Sequence, residues 1–194
     1  MRKYKVPTIE TDRLYLRRWK RKDAADLFEY AKNPNVGPAA GWKPHESQME
    51  SRLVITSVYM QNMAWAVVDK ATDKVIGSIG LDEDKFRPNI SSMELGYSLS
   101  EDYWGRGLIT EAAKGIIRYA FDVLWLDVLM IKTGEDNVKS QRVIEKCGFA
   151  YEGTLRRIYR THDGRVKAVR CYSMLREEYR EMKEREERDG KEKR

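Results

Sequence analysis

Apolar and charged positions alternate along Arg13-Leu-Tyr-Leu-Arg-Arg18, the period of a strand with one buried face. The spacing turns helical at Leu27, Phe28, Tyr30 and Ala31, with Asp23 placed as the N-cap and Asn33-Pro34 as the stop. Breakers fill residues 33–44, and a second helix follows with Leu53, Val54, Val58 and Tyr59 as its apolar positions. That long loop carries Trp42 and is expected to be functional. Trp65 to Asp69 and Val75 to Leu81, joined by a turn at Ala71-Thr-Asp-Lys74, predict a hairpin, and Ser91 to Leu99 a following antiparallel strand. From Leu108 to about Leu124, Ile109, Ala112, Ala113, Ile116, Ile117, Ala120 and Phe121 share one helical face. A strand at Val128 to Thr133 completes a strand–helix–strand crossover, and a helix from Ser140 to Cys147 follows it. Asp163-Gly164 marks a two-residue hairpin turn between Arg157–Thr161 and Val166–Leu175. The sum is an α/β (α+β) domain over residues 1–175, a mixed and mostly antiparallel sheet of six to seven strands flanked by about four helices. Residues 176–194 are charged at 16 of 19 positions and predict a solvated helical tail.

The segment Glu94-Leu-Gly-Tyr-Ser-Leu-Ser-Glu-Asp-Tyr-Trp-Gly-Arg-Gly-Leu-Ile-Thr-Glu-Ala-Ala113 departs from simple patterning. It reads as a strand, a tight Gly-x-Gly loop and the first turn of a helix. Gly105 and Gly107 let the backbone approach a ligand, and the helix points its unpaired N–H groups into the loop, which makes an anion site. With Leu95-Gly-Tyr-Ser-Leu99 before the loop, Thr110-Glu-Ala-Ala113 after it, and Asn137-Val-Lys-Ser140 and Glu145-Lys-Cys-Gly-Phe149 further on, the segment resembles the acetyl-coenzyme-A-binding core of the GNAT N-acetyltransferases. Within that superfamily it is most similar to the RimJ/RimL-type ribosomal-protein acetyltransferases. The resemblance extends from Thr11-Asp-Arg-Leu-Tyr-Leu-Arg17 to Tyr172-Ser-Met-Leu175.

Charge and composition fit such a protein without selecting it. The chain of 194 residues is 41% hydrophobic, enough for one core, and carries a formal charge of +6 with a pI near 9.2. The tail is neutral, so the excess lies in residues 1–175 and suits a cofactor bearing phosphates as well as it suits RNA or DNA. The arginines are scattered among acidic residues and no recognised nucleic-acid motif is present, so a basic nucleic-acid-binding domain is the weaker alternative. No stretch reaches the roughly 18 apolar residues of a membrane span, and the first residues lack a signal peptide's apolar region, so a cytoplasmic protein is expected. Cys147 and Cys171 are too few for a disulfide framework, and no Cys/His cluster has metal-ligand spacing.

The resemblance implies acetyl transfer from acetyl-CoA, with no metal, to a primary amine: a protein N-terminus, or alternatively a small molecule or antibiotic. Such chemistry needs a carboxylate near the amine and a proton donor for the leaving thiolate. Glu94 matches the strand that carries the general base in several relatives, with Glu135 as a second choice, and Ser140 is the candidate acid, with Tyr97 as a further hydroxyl. Ser140 as a helix cap and Glu94 as a solvent-facing strand residue are the structural alternatives. Two positions depart from the family: Lys132 stands where some relatives have a glutamate and Ile144 where many have a tyrosine. These departures keep open a non-catalytic acyl-CoA-binding module. The backbone of Tyr97, Ser98 and Leu99 is implied for the pantetheine arm and thioester, and Trp104, Gly105, Arg106, Gly107, Leu108, Ile109 and Thr110 for the pyrophosphate. Arg106 offers the planar fork for a phosphate oxygen, while Ile109 is bulky for that place and either turns into the core or weakens binding. Asn137 matches the family asparagine near the pantetheine, with Ser140 beside it. The acceptor is expected near the loop Val36 to Pro44 and the hairpin around His162, and a homodimer is left open.

Overall fold

The computed structural model describes residues 6–192, with side chains to residue 189. Eight strands form one sheet in the order β1-β2-β3-β4-β5-β6-β8-β7. They are β1 (Ile9–Glu10), β2 (Leu14–Arg18), β3 (Met63–Asp69), β4 (Val75–Glu83), β5 (Ser92–Leu99), β6 (Val128–Gly134), β7 (Ala150–Arg160) and β8 (Val166–Leu175). The helices are α1 (Ala24–Ala31), α2 (Gly37–Ala40), α3 (Gln48–Val54), α4 (Leu108–Asp122), α5 (Val138–Lys146) and α6 (Arg176–Glu192). All neighbours are antiparallel except β5 and β6, which the α4 crossover makes parallel.

The alternation of side chains sorts the two faces. Trp65 and Val67 of β3, Leu95 of β5, Leu129 and Ile131 of β6 and Tyr172 and Met174 of β8 join the apolar face of α4 and Ile144 of α5 in the main core. Ala64, Ala66 and Val68 face the other way, under α1 and the α3 segment, with Trp19 stacked on Tyr59 at 4.8 Å. Met130, Val169 and Cys171 form a smaller cluster beyond the seam.

That seam positions the site. β5 and β6 pair only from Ser92↔Val128 to Leu95↔Ile131. Past those four rungs they part: β5 stays with β4 as far as Gly77↔Leu99, and β6 with β8 as far as Gly134↔Val169. Gly77 allows β4 to hold β5 closely, because a Cβ there would lie 2.5 Å from the Ser98 carbonyl oxygen.

The structure corrects several expectations. Among the described residues the short β1 brings the strands to eight, and α2 adds one helix to the four of the domain and the expected one of the tail. Asp23 precedes α1, but its carboxylate turns back to Arg17 at 2.8 Å and to the Lys20 amide, so it caps no helix N–H. β7 starts at Ala150 rather than Arg157, with two register shifts, and Thr161 closes on Arg165 across a longer turn. The tail is helical, yet its first turns are docked: Tyr179 is buried, stacks on Phe121 at 4.8 Å and donates to Asp122 at 2.8 Å. One apolar residue per turn among charges gave no amphipathic signal strong enough to predict that contact.

Candidate active site

The gap between β5 and β6 opens into a cleft of about 910 Å³ that reaches both faces of the sheet. At one end α4 begins. Gly105 and Gly107 have φ of 75° and 74°, the left-handed region that favours glycine, and Gly107 is the N-cap, with no side chain to occupy the first turn. Leu108 and Ile109 are buried and belong to the main core as well as to the lining of the cleft, so the bulk of Ile109 is packed rather than exposed. The Trp104 indole N–H donates to the Leu99 carbonyl at 2.9 Å, bracing the loop against the end of β5, and the Lys139 ammonium lies 4.1 Å from its ring.

Arg106 is placed differently from its expected role. Its guanidinium stacks on Tyr103, 5.0 Å from the ring centre, and lines a separate cavity of about 240 Å³ with Glu29, Lys74 and Asp102. Its carbonyl accepts from Arg13, 3.0 Å away, and Arg13 in turn holds Glu111 at 2.7 Å. Arg106 thus serves the loop through its backbone. The direction of a loop side chain left no trace in the sequence.

Midway along the cleft, Tyr97 of β5 and Ser140 of α5 share a hydrogen bond of 2.9 Å. Burial pushes the Tyr97 hydroxyl far above the usual tyrosine range, against a smaller lowering from the bond to Ser140. Ser140 is not the helix cap: Asn137 is, its side-chain oxygen accepting from the Ser140 amide at 3.1 Å. The Asn137 amide nitrogen also reaches the Ala39 carbonyl of α2 at 3.4 Å, so one side chain caps α5 and joins two lining elements of the cleft.

Glu94 lies three residues before Tyr97, the odd separation that sends its side chain to the opposite face. There it meets the Lys132 ammonium at 2.6 Å, with Val169, Ile158 and Tyr159 of the β7–β8 hairpin and Val36 and Ala39 lining the same cleft. Glu135 and His162 are not among the residues lining it. The buried His45 belongs to the loop after α2, where its Nδ1 meets the Ser51 hydroxyl at 2.8 Å.

Sequence reasoning missed Lys139, Arg142 and Lys146, which line the cleft from α5. Their spacing of three and four was the available signal, because it places all three on one side of that helix. Among the described residues no group of three or more His, Cys, Asp or Glu is arranged to hold a metal. No helix among them is long and apolar enough to cross a membrane.

The sequence profile of the acetyltransferase (GNAT) domain matches residues 13–150, most of the sheet and both helices of the cleft. The chain belongs to the GNAT acetyltransferases. It is 31% identical to the uncharacterized N-acetyltransferase p20 of Bacillus licheniformis over 90% of this chain and 99% of that one. It is 32% identical to the ribosomal-protein-serine acetyltransferase of Escherichia coli over 43% of this chain and 46% of the relative. A GNAT-family acetyltransferase of Bacillus anthracis has the same fold, with a TM-score of 0.79 at 20% identity, covering 88% of this chain and 99% of that structure.

A GNAT acetyltransferase uses acetyl-CoA, and this one has residues that fit it. A pyrophosphate asks for N–H donors, close backbone and cations. Gly105, Gly107 and the first turn of α4 supply the first two, and Lys139, Arg142 and Lys146 the third.

Proposed function

We propose that this acetyltransferase acetylates the α-amino group of a protein or peptide N-terminus in the cytoplasm, with Glu94 as general base and the Tyr97–Ser140 pair as the proton source for the leaving thiolate. Acetyl-CoA supplies an acetyl group activated as a thioester. The first turn of α4 and the α5 cations hold its phosphates, and the backbone from Tyr97 to Leu99, which β6 no longer pairs, lies along its arm. Glu94 accepts the proton that the attacking ammonium must lose, directly or through water. Tyr97, whose burial keeps it protonated, passes a proton through Ser140 or donates it directly, with Ser140 as its hydrogen-bond partner.

One observation carries the reading: the four-rung seam leaves an opening, with a carboxylate on one face of the sheet and a hydroxyl pair on the other. Base and acid are thus separated by the thickness of the layer through which an acetyl group would pass. The N-terminal acceptor is supported by the resemblance to ribosomal-protein acetyltransferases, one of whose relatives is named for a serine substrate. Free thiol release with acetyl-CoA and peptides differing in their N-terminal residue tests it. Turnover restricted to small amines, with every peptide inert, would overturn the peptide acceptor, and absence of acetyl-CoA binding would overturn the enzyme site.

A further inference from the structure

Charge is unevenly distributed along the cleft. Among its lining residues Lys132, Lys139, Arg142 and Lys146 are cationic, and Glu94 is the one carboxylate. The three α5 cations stand on the face of the α4 N-terminus, where phosphates would offset them. On the other face Glu94 is already matched by Lys132 at 2.6 Å, so the lining groups there carry no net charge, and Asp82, opposite Glu94 on β4, lies outside the lining. Around the pair the walls are apolar, from Val36 and Ala39 on one side to Ile158, Tyr159 and Val169 on the other.

Resting on the acetyltransferase reading of this cleft, we infer that the acceptor is a primary monoamine with neutral or apolar groups beside its nitrogen, and that polyamines and aminoglycosides are excluded. The reacting nitrogen must become neutral, but every further ammonium of a polycation enters charged. A buried ammonium needs its own carboxylate, because desolvation is otherwise uncompensated. Glu94 can satisfy one group, and Lys132 repels the next. A neutral or apolar neighbour meets none of these costs and covers the exposed Ile158 and the half-buried Tyr159, which are otherwise wet.

The same geometry makes Lys132 the residue that sets this selectivity. Lys132→Glu adds a second carboxylate and removes the repelling charge; Lys132→Met removes the charge alone and serves if the first variant does not fold. Thiol release at saturating acetyl-CoA would be compared for an amidated Ala-Phe-Ala peptide, phenethylamine, spermidine and kanamycin. The expected kcat/KM of the better apolar monoamine exceeds that of either polycation by roughly tenfold or more, as for a site lacking a partner for a charged group. The ratio should shrink in the Lys132 variants. Calorimetric titration of spermidine onto the CoA-loaded and the free protein gives a readout independent of turnover, with no binding expected at micromolar concentration. Micromolar spermidine binding to the unaltered protein, or polycation turnover equal to that of the monoamines, would overturn the inference. Failure of acetyl-CoA to bind would instead strike the enzyme reading, and the spermidine titration would still decide the charge selectivity.

Discussion

Tyr97 Oη and Ser140 Oγ lie 2.9 Å apart, so a hydroxyl from the parting strand and one from the following helix form a single donor pair inside the cleft. Tyr97→Phe and Ser140→Ala should each lower kcat, by about 10- to 100-fold, within the range of general acid catalysis. Their effects should not multiply in the double variant, because the two groups act as a unit. The losses should shrink when the acyl donor carries a more acidic thiol. A purely structural defect would ignore the leaving group, and Asn137 remains to cap α5 in every variant.

On the opposite face, Glu94→Gln should reduce kcat by roughly 100-fold or more and leave acetyl-CoA affinity nearly unchanged, as for a lost general base. Steady-state kinetics across pH, with acetyl-CoA binding measured separately, distinguish this from a folding defect.

Gly107→Asp should raise the acetyl-CoA dissociation constant by about tenfold or more by placing a carboxylate at an anion site. The substitution should fold, since a Cβ at Gly107 meets only an Arg13 nitrogen at 3.7 Å and Asp tolerates left-handed backbone. Gly107→Asn is the matched control with the same shape and no charge. Equal losses in both would mean that backbone strain, not repulsion, is responsible.

The α5 cations predict a salt signature. Arg142→Ala should raise the KM for acetyl-CoA several-fold at low ionic strength with kcat preserved, and the gap should narrow as salt screens the exposed charge. Michaelis curves at two salt concentrations test this.

His45 predicts a pH dependence of stability. Burial lowers its pKa from the ordinary 6.5, and its neutral ring is held against Ser51 and, at 5.2 Å, beside Trp42. The folded state therefore binds this proton less readily than the unfolded chain does. The contribution is complete above pH 6.5 and is lost as pH falls below it. Thermal melts between pH 8 and pH 5 should show a steeper fall for the parent than for His45→Gln.

The sequence made the strand–loop–helix core legible because each step carries a local signal: alternation in β5, paired glycines, then a continuous apolar stripe in α4. Gly107, Asn137 and Ser140 were readable for the same reason, as residues tied to helix starts. What was not legible depends on distance. The Tyr97–Ser140 bond joins residues 43 positions apart, and Lys132 looked like a family departure rather than the partner of Glu94. Arg106 misled because charge in a loop says nothing of direction, and its guanidinium settled on Tyr103. The docking of α6 was hidden by its composition, since Tyr179 is a lone ring among charges.

The short β5–β6 seam has a further consequence: it gives the sheet an unpaired edge at its centre. An exposed strand edge ordinarily invites another chain to pair with it. Here the stretches that β5 and β6 leave open to each other are only a few residues long, from Gly96 to Ser98 and from Lys132 to Thr133; the Leu99 carbonyl is taken by Trp104 and the Gly134 carbonyl by the Asn137 amide, and Asn137 also reaches Ala39 at that end. A whole strand with its neighbours cannot enter under that bridge. The protein can therefore keep hydrogen-bonding backbone available in its interior for a slender ligand while denying the same groups to a second sheet.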